Sequence, residues 1–194
     1  MAGRDWFYGL LHKSQLMLKP GKRRHTTSSN HPYRKYKNMI KELTVNRINQ
    51  LWVADITYID TDEGVAYLHL LTDAFTHEII GWVLSDSLVA SNTVTALEMG
   101  ISRMSHLGFD GLIHHSDRGV QYCCNQYIDR LQAIKATISM TEDYKPTDNA
   151  IAERVNGIIK QEWLYRMKRP SDVVAARESL AGIIDFYNNR SEEH

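Results

Sequence analysis

Three β-rich segments follow one another between residues 51 and 84, and the links between them are too short to hold a helix. Residues 51–59, 65–74 and 77–84 carry the β-branched and aromatic side chains that suit a pleated surface. Asp62-Glu63-Gly64 marks the first turn and Phe75-Thr76 the second. Links this short predict an antiparallel meander, because a parallel return needs a crossover of about a dozen residues or more. Beyond residue 84, helical and strand patterns alternate. A helix capped by Ser91 runs to about Met104, with Val94, Leu97, Ile101 and Met104 on one face. Residues 112–115 form a short apolar strand, 125–133 a helix, 137–140 a fifth strand and 142–147 a polar loop. Helices over 149–166 and 172–188 close the order.

That order, β-β-β-α-β-α-β-α-α, defines an α/β chain with the ribonuclease-H-like layout. It is a five-stranded mixed sheet flanked by helices, because strands that follow helices return parallel by right-handed crossovers. Ahead of it lies a basic arm. Residues 1–50 hold 11 Lys/Arg against 2 Asp/Glu, and residues 51–194 hold 12 against 21, so a net charge of zero hides opposite halves. Residues 3–18 read as a short amphipathic helix, with Phe7, Leu10, Leu11, Leu16 and Leu18 apolar, ended by Pro20-Gly21. Residues 22–32 read as an extended linker, and Arg34, Lys35, Lys37 and Lys41 carry the positive character to a boundary near residue 45. Basic arms of this kind bind phosphates, with salt-dependent affinity.

Composition excludes several classes. No apolar run is long enough to span a membrane, and the first residues lack the apolar core of a signal peptide. A cytoplasmic location is therefore expected. The only cysteines, Cys123 and Cys124, are adjacent; they read as reduced, partly buried thiols rather than a disulfide framework or zinc site.

Three acids stand in patterned segments. Asp55 lies mid-strand among Val53, Ile56 and Tyr58, where a carboxylate is costly unless paired or metal-bound. Asp117 lies at the carboxyl end of its strand, where open α/β sheets place ligands, and Gly119 lets the chain turn closely past it. Glu153 stands 36 positions further on, near the start of a helix. Asn149, Glu153, Asn156 and Lys160 follow 4-3-4 spacing and share one polar face that can be laid against DNA, while Val155, Ile159 and Trp163 pack inward. Carboxylates converging on one sheet edge suit two divalent ions about 3.5–4 Å apart, which serve phosphoryl transfer.

Each residue also has a plainer reading. Asp55 alone could cap a neighbour, Asp117 could be a strand-end turn residue, and Glu153 could answer the helix dipole. Asp73 reads as a turn residue and Asp148-Asn149 as a helix N-cap. For His114 and His115 the structural reading is favoured over ligation, one facing the core and one the sheet edge. Trp52, Trp82 and Trp163 read as core. It is the order of the acids that carries the functional reading.

Trp52-Val53-Ala54-Asp55-Ile56-Thr57-Tyr58, His115-Ser116-Asp117-Arg118-Gly119-Val120-Gln121-Tyr122 and Asp148-Asn149-Ala150…Glu153…Lys160…Glu162 resemble the integrase core of bacterial insertion-sequence transposases. More narrowly, they resemble the second-frame product of the third insertion-sequence family, a relative of retroviral integrases. The resemblance spans about residues 3–190. It implies a metal-dependent transposase that cleaves and joins DNA strands, with Asp55, Asp117 and Glu153 as the metal-binding catalytic triad and two Mg²⁺ (or Mn²⁺) as cofactors. No Ser or Tyr nucleophile is implied. Lys160 matches a family lysine that contacts the transposon end; Asn149, Asn156, Lys22, Arg23, Arg24, Arg34, Lys35 and Lys37 are further candidate DNA contacts. Expected partners are transposon-end and target DNA, further copies of the chain, and a first-frame product; no membrane is expected. The implied division is 1–20, remnant of a helix-turn-helix region; 21–45, basic linker; 46–190, catalytic core; 191–194, a tail cut short. Beside full members of that family, which carry a complete helix-turn-helix and a segment past Tyr187-Asn188-Asn189-Arg190, the chain is expected to be a truncated or frame-shifted copy. Two other functions fit the residues: an inactive DNA-binding or regulatory fragment, and a ribonuclease-H-type nuclease.

Overall fold

The computed structural model describes residues 30–142 and 150–191, together with Trp6, Gly9, Lys13 and Ser14. Apart from those four positions, the helix expected over 3–18 lies outside the described residues. So do Lys22, Arg23, Arg24, Asn149 and the cap expected at Asp148-Asn149.

β1 (Leu51–Asp60), β2 (Val65–Asp73) and β3 (Ile79–Ser85) form the expected meander, each pair antiparallel. Thr61 and Gly64 close the first turn, where the Thr61 N–H donates to the Gly64 carbonyl at 2.7 Å. The second turn is longer than the two residues expected. Fully buried Asp73 accepts N–H bonds from Phe75 and Thr76 at 3.0 Å and from Asn49 at 2.8 Å, which holds residues 74–78 as a turn between β2 and β3. Asp73 is thus the turn residue its position predicts.

α1 (Ala90–Met104) crosses to β4 (Ile113–Ser116), and α2 (Val120–Cys123) and α3 (Asn125–Ala133) lead to β5 (Thr137–Met140). The sheet order is β3-β2-β1-β4-β5, with β1/β4 and β4/β5 parallel. α1 starts one residue before Ser91, and its N-cap, Val89, offers no side-chain bond. The start is held instead by Asn92, whose amide donates to the Ser87 carbonyl at 3.0 Å. Against β3 this helix comes so close that a Cβ on Gly81 would meet the Ala96 carbonyl oxygen at 2.1 Å.

The expected helix over 149–166 is three pieces. α4 (Ala150–Gly157) runs into a π-helical stretch, Ile158–Trp163, and a 3₁₀ turn, Leu164–Arg166. α5 (Val173–Ser191) follows; Asp172 caps it by accepting the Val174 and Ala175 N–H groups.

Strand alternation sorts the core into layers. Trp52, Ala54 and Ile56 face α1, α2 and α3 with Leu97, Tyr122, Tyr127 and Leu131. Ile59, Leu68, Leu70 and Leu84 pack with Val155, Ile159, Leu180 and Ile184 of the later helices. Leu51 and Val53 meet Ala152 of α4. Truncating a fully buried anchor such as Trp52 costs about 3–5 kcal/mol. Helices therefore cover both faces, as the order of elements requires.

From Lys37 onward, the segment expected to be linker lies on this core. The Lys37 carbonyl accepts from Met140 at 3.3 Å, Met39 donates to Ser139 Oγ at 2.9 Å, and Ile40, Leu43 and Val45 pack beside Leu51 and Val53. The segment covers the open edge of β5, which would otherwise leave backbone groups unpaired.

Candidate active site

The parallel register of β1 and β4 sets two of the three acids side by side. Leu51 faces Ile113, Trp52 faces His114 and Val53 faces His115. Two positions past the last of these pairs stand Asp55 and Asp117. β4 ends at Ser116, so Asp117 sits just beyond the strand end, while β1 runs on to Asp60. The ladder thus opens where the acids stand. Burial, and after it the charge of Asp117, push the Asp55 carboxyl up to about 7; Glu153 adds a smaller push, against hydrogen bonds from Ile56 and Asn156.

Gly119 holds Asp117 by close approach. Its N–H donates to Asp117 Oδ1 at 2.8 Å, and a Cβ there would lie 2.9 Å from that same oxygen. Its φ of −64° is open to any residue, so space rather than backbone conformation calls for glycine.

α4 brings the third acid. Because Ala152 packs on Leu51 and Val53, the next turn of α4 lies over the continuation of that face, at Asp55 and Thr57. Glu153 and Asn156 line one pocket of about 370 Å³ with Asp55, Thr57, Tyr58 and Lys160; Gly157, Gln161 and Tyr165 complete it. Asn156 was expected to face DNA. It is instead buried, and its amide donates to Asp55 Oδ2 at 2.5 Å, while its own Oδ1 has no partner among the described residues. Lys160 is half-buried at the pocket wall, where its ammonium donates to Thr57 Oγ1 at 3.2 Å. Burial lowers its proton affinity, against the pull of Asp60 and Asp55.

Other candidates stand elsewhere. Arg34, Lys35 and Lys37 are exposed, at or just before the start of the docked segment. His114 and His115 are both buried, so neither faces a sheet edge: His114 bonds the Tyr127 hydroxyl at 2.9 Å and His115 bonds Ser139 Oγ at 2.8 Å. Cys123 and Cys124 are free thiols. Thr57, Tyr58, Gly157, Gln161 and Tyr165 were not singled out beforehand. Strand alternation from Asp55 points to Thr57, and helical spacing from Glu153 points to Gly157 and Gln161. Nothing in the local pattern points to Tyr58 or Tyr165.

Three carboxylates supply hard oxygen donors of the kind divalent Mg²⁺ or Mn²⁺ takes, and their mutual repulsion at Asp55 is what a bound cation relieves. The donor set fits such an ion. It is not drawn into a closed cage: among the described residues no three His, Cys, Asp or Glu side chains gather closely enough to share one.

Comparison with known proteins gives the family. Residues 45–146 and 134–191 each match a model described as an integrase core domain. A putative transposase for insertion sequence element IS986/IS6110 of Mycobacterium tuberculosis is 34% identical, over 73% of this chain and 52% of its own length. The transposase for insertion sequence element IS629 of Shigella sonnei is 32% identical, over 88% of this chain and 56% of its own. The fold is that of the Mos1 transposase catalytic domain, solved with raltegravir and Mg (12% identity, TM-score 0.53, 75% of this chain and 78% of that one). The chain belongs to the insertion-sequence transposases that carry an integrase core domain, and it spans a little over half the length of the first two relatives.

Proposed function

We propose that this chain is the catalytic core of a transposase that cuts DNA and joins a 3′-hydroxyl end to target DNA. The observation that carries this reading is the closeness of Asp55 on β1 to Asp117, just past the end of the neighbouring parallel strand β4, with Glu153 in the pocket that Asp55 lines. Asp55, Asp117 and Glu153 would hold divalent ions, Mg²⁺ or Mn²⁺, two in number. Such ions supply charge stabilisation at the phosphate and a more acidic bound water or hydroxyl.

The remaining side chains orient and attract. Asn156 fixes the rotation of the Asp55 carboxylate through the 2.5 Å bond. Gly119 does the same for Asp117 through its N–H. Lys160 places a positive charge at the pocket wall for a phosphate of the transposon end. Exposed Arg34, Lys35 and Lys37 offer positive charge to DNA phosphates, and Lys22, Arg23, Arg24 and Asn149 are further candidate contacts. No side chain forms a covalent bond to DNA in this chemistry, so no Ser or Tyr nucleophile is assigned. Action on two DNA segments favours an assembly of several copies, with a first-frame product as a further partner. No helix among the described residues is long and apolar enough to cross a membrane, and action in the cytoplasm follows from DNA as substrate.

The test is strand transfer by the 194-residue chain from a labelled oligonucleotide of the element's end into plasmid, in Mg²⁺ and in Mn²⁺, beside Asp117→Asn. Joined product from wild type alone is expected. Cutting without joining would favour a ribonuclease-H-type hydrolase; no product from a folded, DNA-binding protein would favour a regulatory fragment.

A further inference from the structure

Lys160 is a cation in an acid-lined pocket, yet no ion pair joins it to Asp55. Its ammonium lies 4.1 Å from the centroid of the Tyr58 ring and 5.7 Å from that of Tyr165. It also donates to Thr57 Oγ1 at 3.2 Å. A ring face, a second ring and a hydroxyl thus surround a side chain that four rotatable bonds would otherwise let swing onto Asp55.

We infer that Tyr58 is a positioning residue for Lys160: its ring face, with the Thr57 hydroxyl, holds the ammonium off the acids and presents it to a DNA phosphate. This rests on the reading of the pocket as a DNA site. Three physical points support it. An ammonium attracted to a ring face keeps its full charge, whereas one paired with Asp55 would cancel a carboxylate the site needs. Ordering a free lysine costs rotamer entropy, and an ordered one meets a phosphate without that loss. Of the three ammonium donors, one goes to Thr57, which leaves capacity for a phosphate oxygen. Tyr165, 52% exposed at the mouth of the pocket, bounds the outer side. Thr57 and Tyr58, two and three residues after Asp55, therefore shape the cation as Asn156 shapes the anion.

The experiment compares Tyr58→Leu, Tyr58→Phe, Lys160→Ala and the Tyr58→Leu/Lys160→Ala double variant in the full chain. Affinity for a fluorescent duplex oligonucleotide is read by anisotropy in EDTA, so that no metal is needed. Tyr58→Leu is expected to weaken binding about tenfold, the size of a partly desolvated cation–π contact. Tyr58→Phe keeps the ring and stays within about twofold. The double variant should bind no more weakly than Lys160→Ala. Phe falling as far as Leu, or additive losses in the double variant, would overturn the inference. Proton NMR of the Lys160 ε-methylene separates this from the wider function: an upfield ring-current shift in wild type and Tyr58→Phe, lost in Tyr58→Leu, is expected. Its absence in wild type also overturns the inference, whereas its presence in a protein that binds no DNA overturns the DNA reading and leaves the positioning intact.

Discussion

Asp55 on β1 and Asp117 just past the end of β4 each stand two residues beyond the Val53–His115 pair, and burial, then the charge of Asp117, pushes the Asp55 carboxyl up to about 7. Two acids so placed disfavour each other's ionised form. A site of this kind is strained without a cation and relaxed with one, and most of what can be measured on it follows from that.

Asp55→Asn is expected to stabilise the metal-free protein at high pH. A carboxyl raised from 3.8 to about 7 holds its proton longer in the folded state. The native state is therefore penalised as pH climbs between those values, and not below them. The full penalty is about 4 kcal/mol, and screening reduces it to about 1–3. Urea midpoints in EDTA should show the variant ahead of wild type at pH 8 and level with it at pH 3.5, while strand transfer is lost. Equal midpoints at pH 8 would contradict the penalty on ionising Asp55 that burial and Asp117 impose.

Divalent metal should raise the melting temperature of wild type. An ion bound only by the folded state contributes about 2.7 kcal/mol at a hundred times its Kd, or about 5–10 °C for a chain of this size. The rise should be larger at pH 8 than at pH 6, because Asp55 must give up its proton to bind. Asp55→Asn and Asp117→Asn should show little of it in differential scanning calorimetry. A rise preserved in both variants would place the ion elsewhere.

Gly119→Ala should separate folding from catalysis. The backbone there suits alanine, but the new methyl would press on Asp117 Oδ1 and on Gln121 Oε1, 3.1 Å away. We expect a stability change within about 1 kcal/mol and a loss of activity of about tenfold or more. Unchanged turnover would show that Asp117 is not held by this contact.

Buried histidines should make the protein sensitive to acid. Burial lowers His69 to about 4 and His114 to about 3. Below pH 6.5 the unfolded chain takes up protons that the folded one refuses, so stability falls with pH, by up to about 1.4 kcal/mol per pH unit for each. The effect is best read in an Asp55→Asn background, since Asp55 titrates with the opposite sign. His69→Gln should flatten the loss between pH 6.5 and 4.5 in urea titrations; a slope as steep as wild type would place the sensitivity elsewhere.

Much of this was legible in the sequence because it is local. β-branched runs with short turns gave three antiparallel strands, and helices between later strands gave the parallel half of the sheet. The three acids stood out because a mid-strand aspartate and a strand-end aspartate are costly or conspicuous. The π-helical stretch after Gly157 was hidden, since nothing in Ile158-Ile159-Lys160 departs from an ordinary helical pattern. The buried ring of His115 was hidden too, because its partner Ser139 lies on another strand.

By itself, then, the sequence determined the kinds of element, their order, the mixed sheet that this order requires, and which carboxylates are out of place. Those follow from periodicity and chain connectivity, which act over a few residues. Only the tertiary structure decided what each polar group meets. Asn156 turned from a surface candidate into the partner of Asp55, 101 positions away. Lys160 came to rest over Tyr58 rather than on an acid. Lys37 to Val45 folded onto the core rather than away from it. Each depends on packing between distant segments, where the cost of leaving a buried polar group or a strand edge unpaired is settled by whichever partner the fold brings within reach.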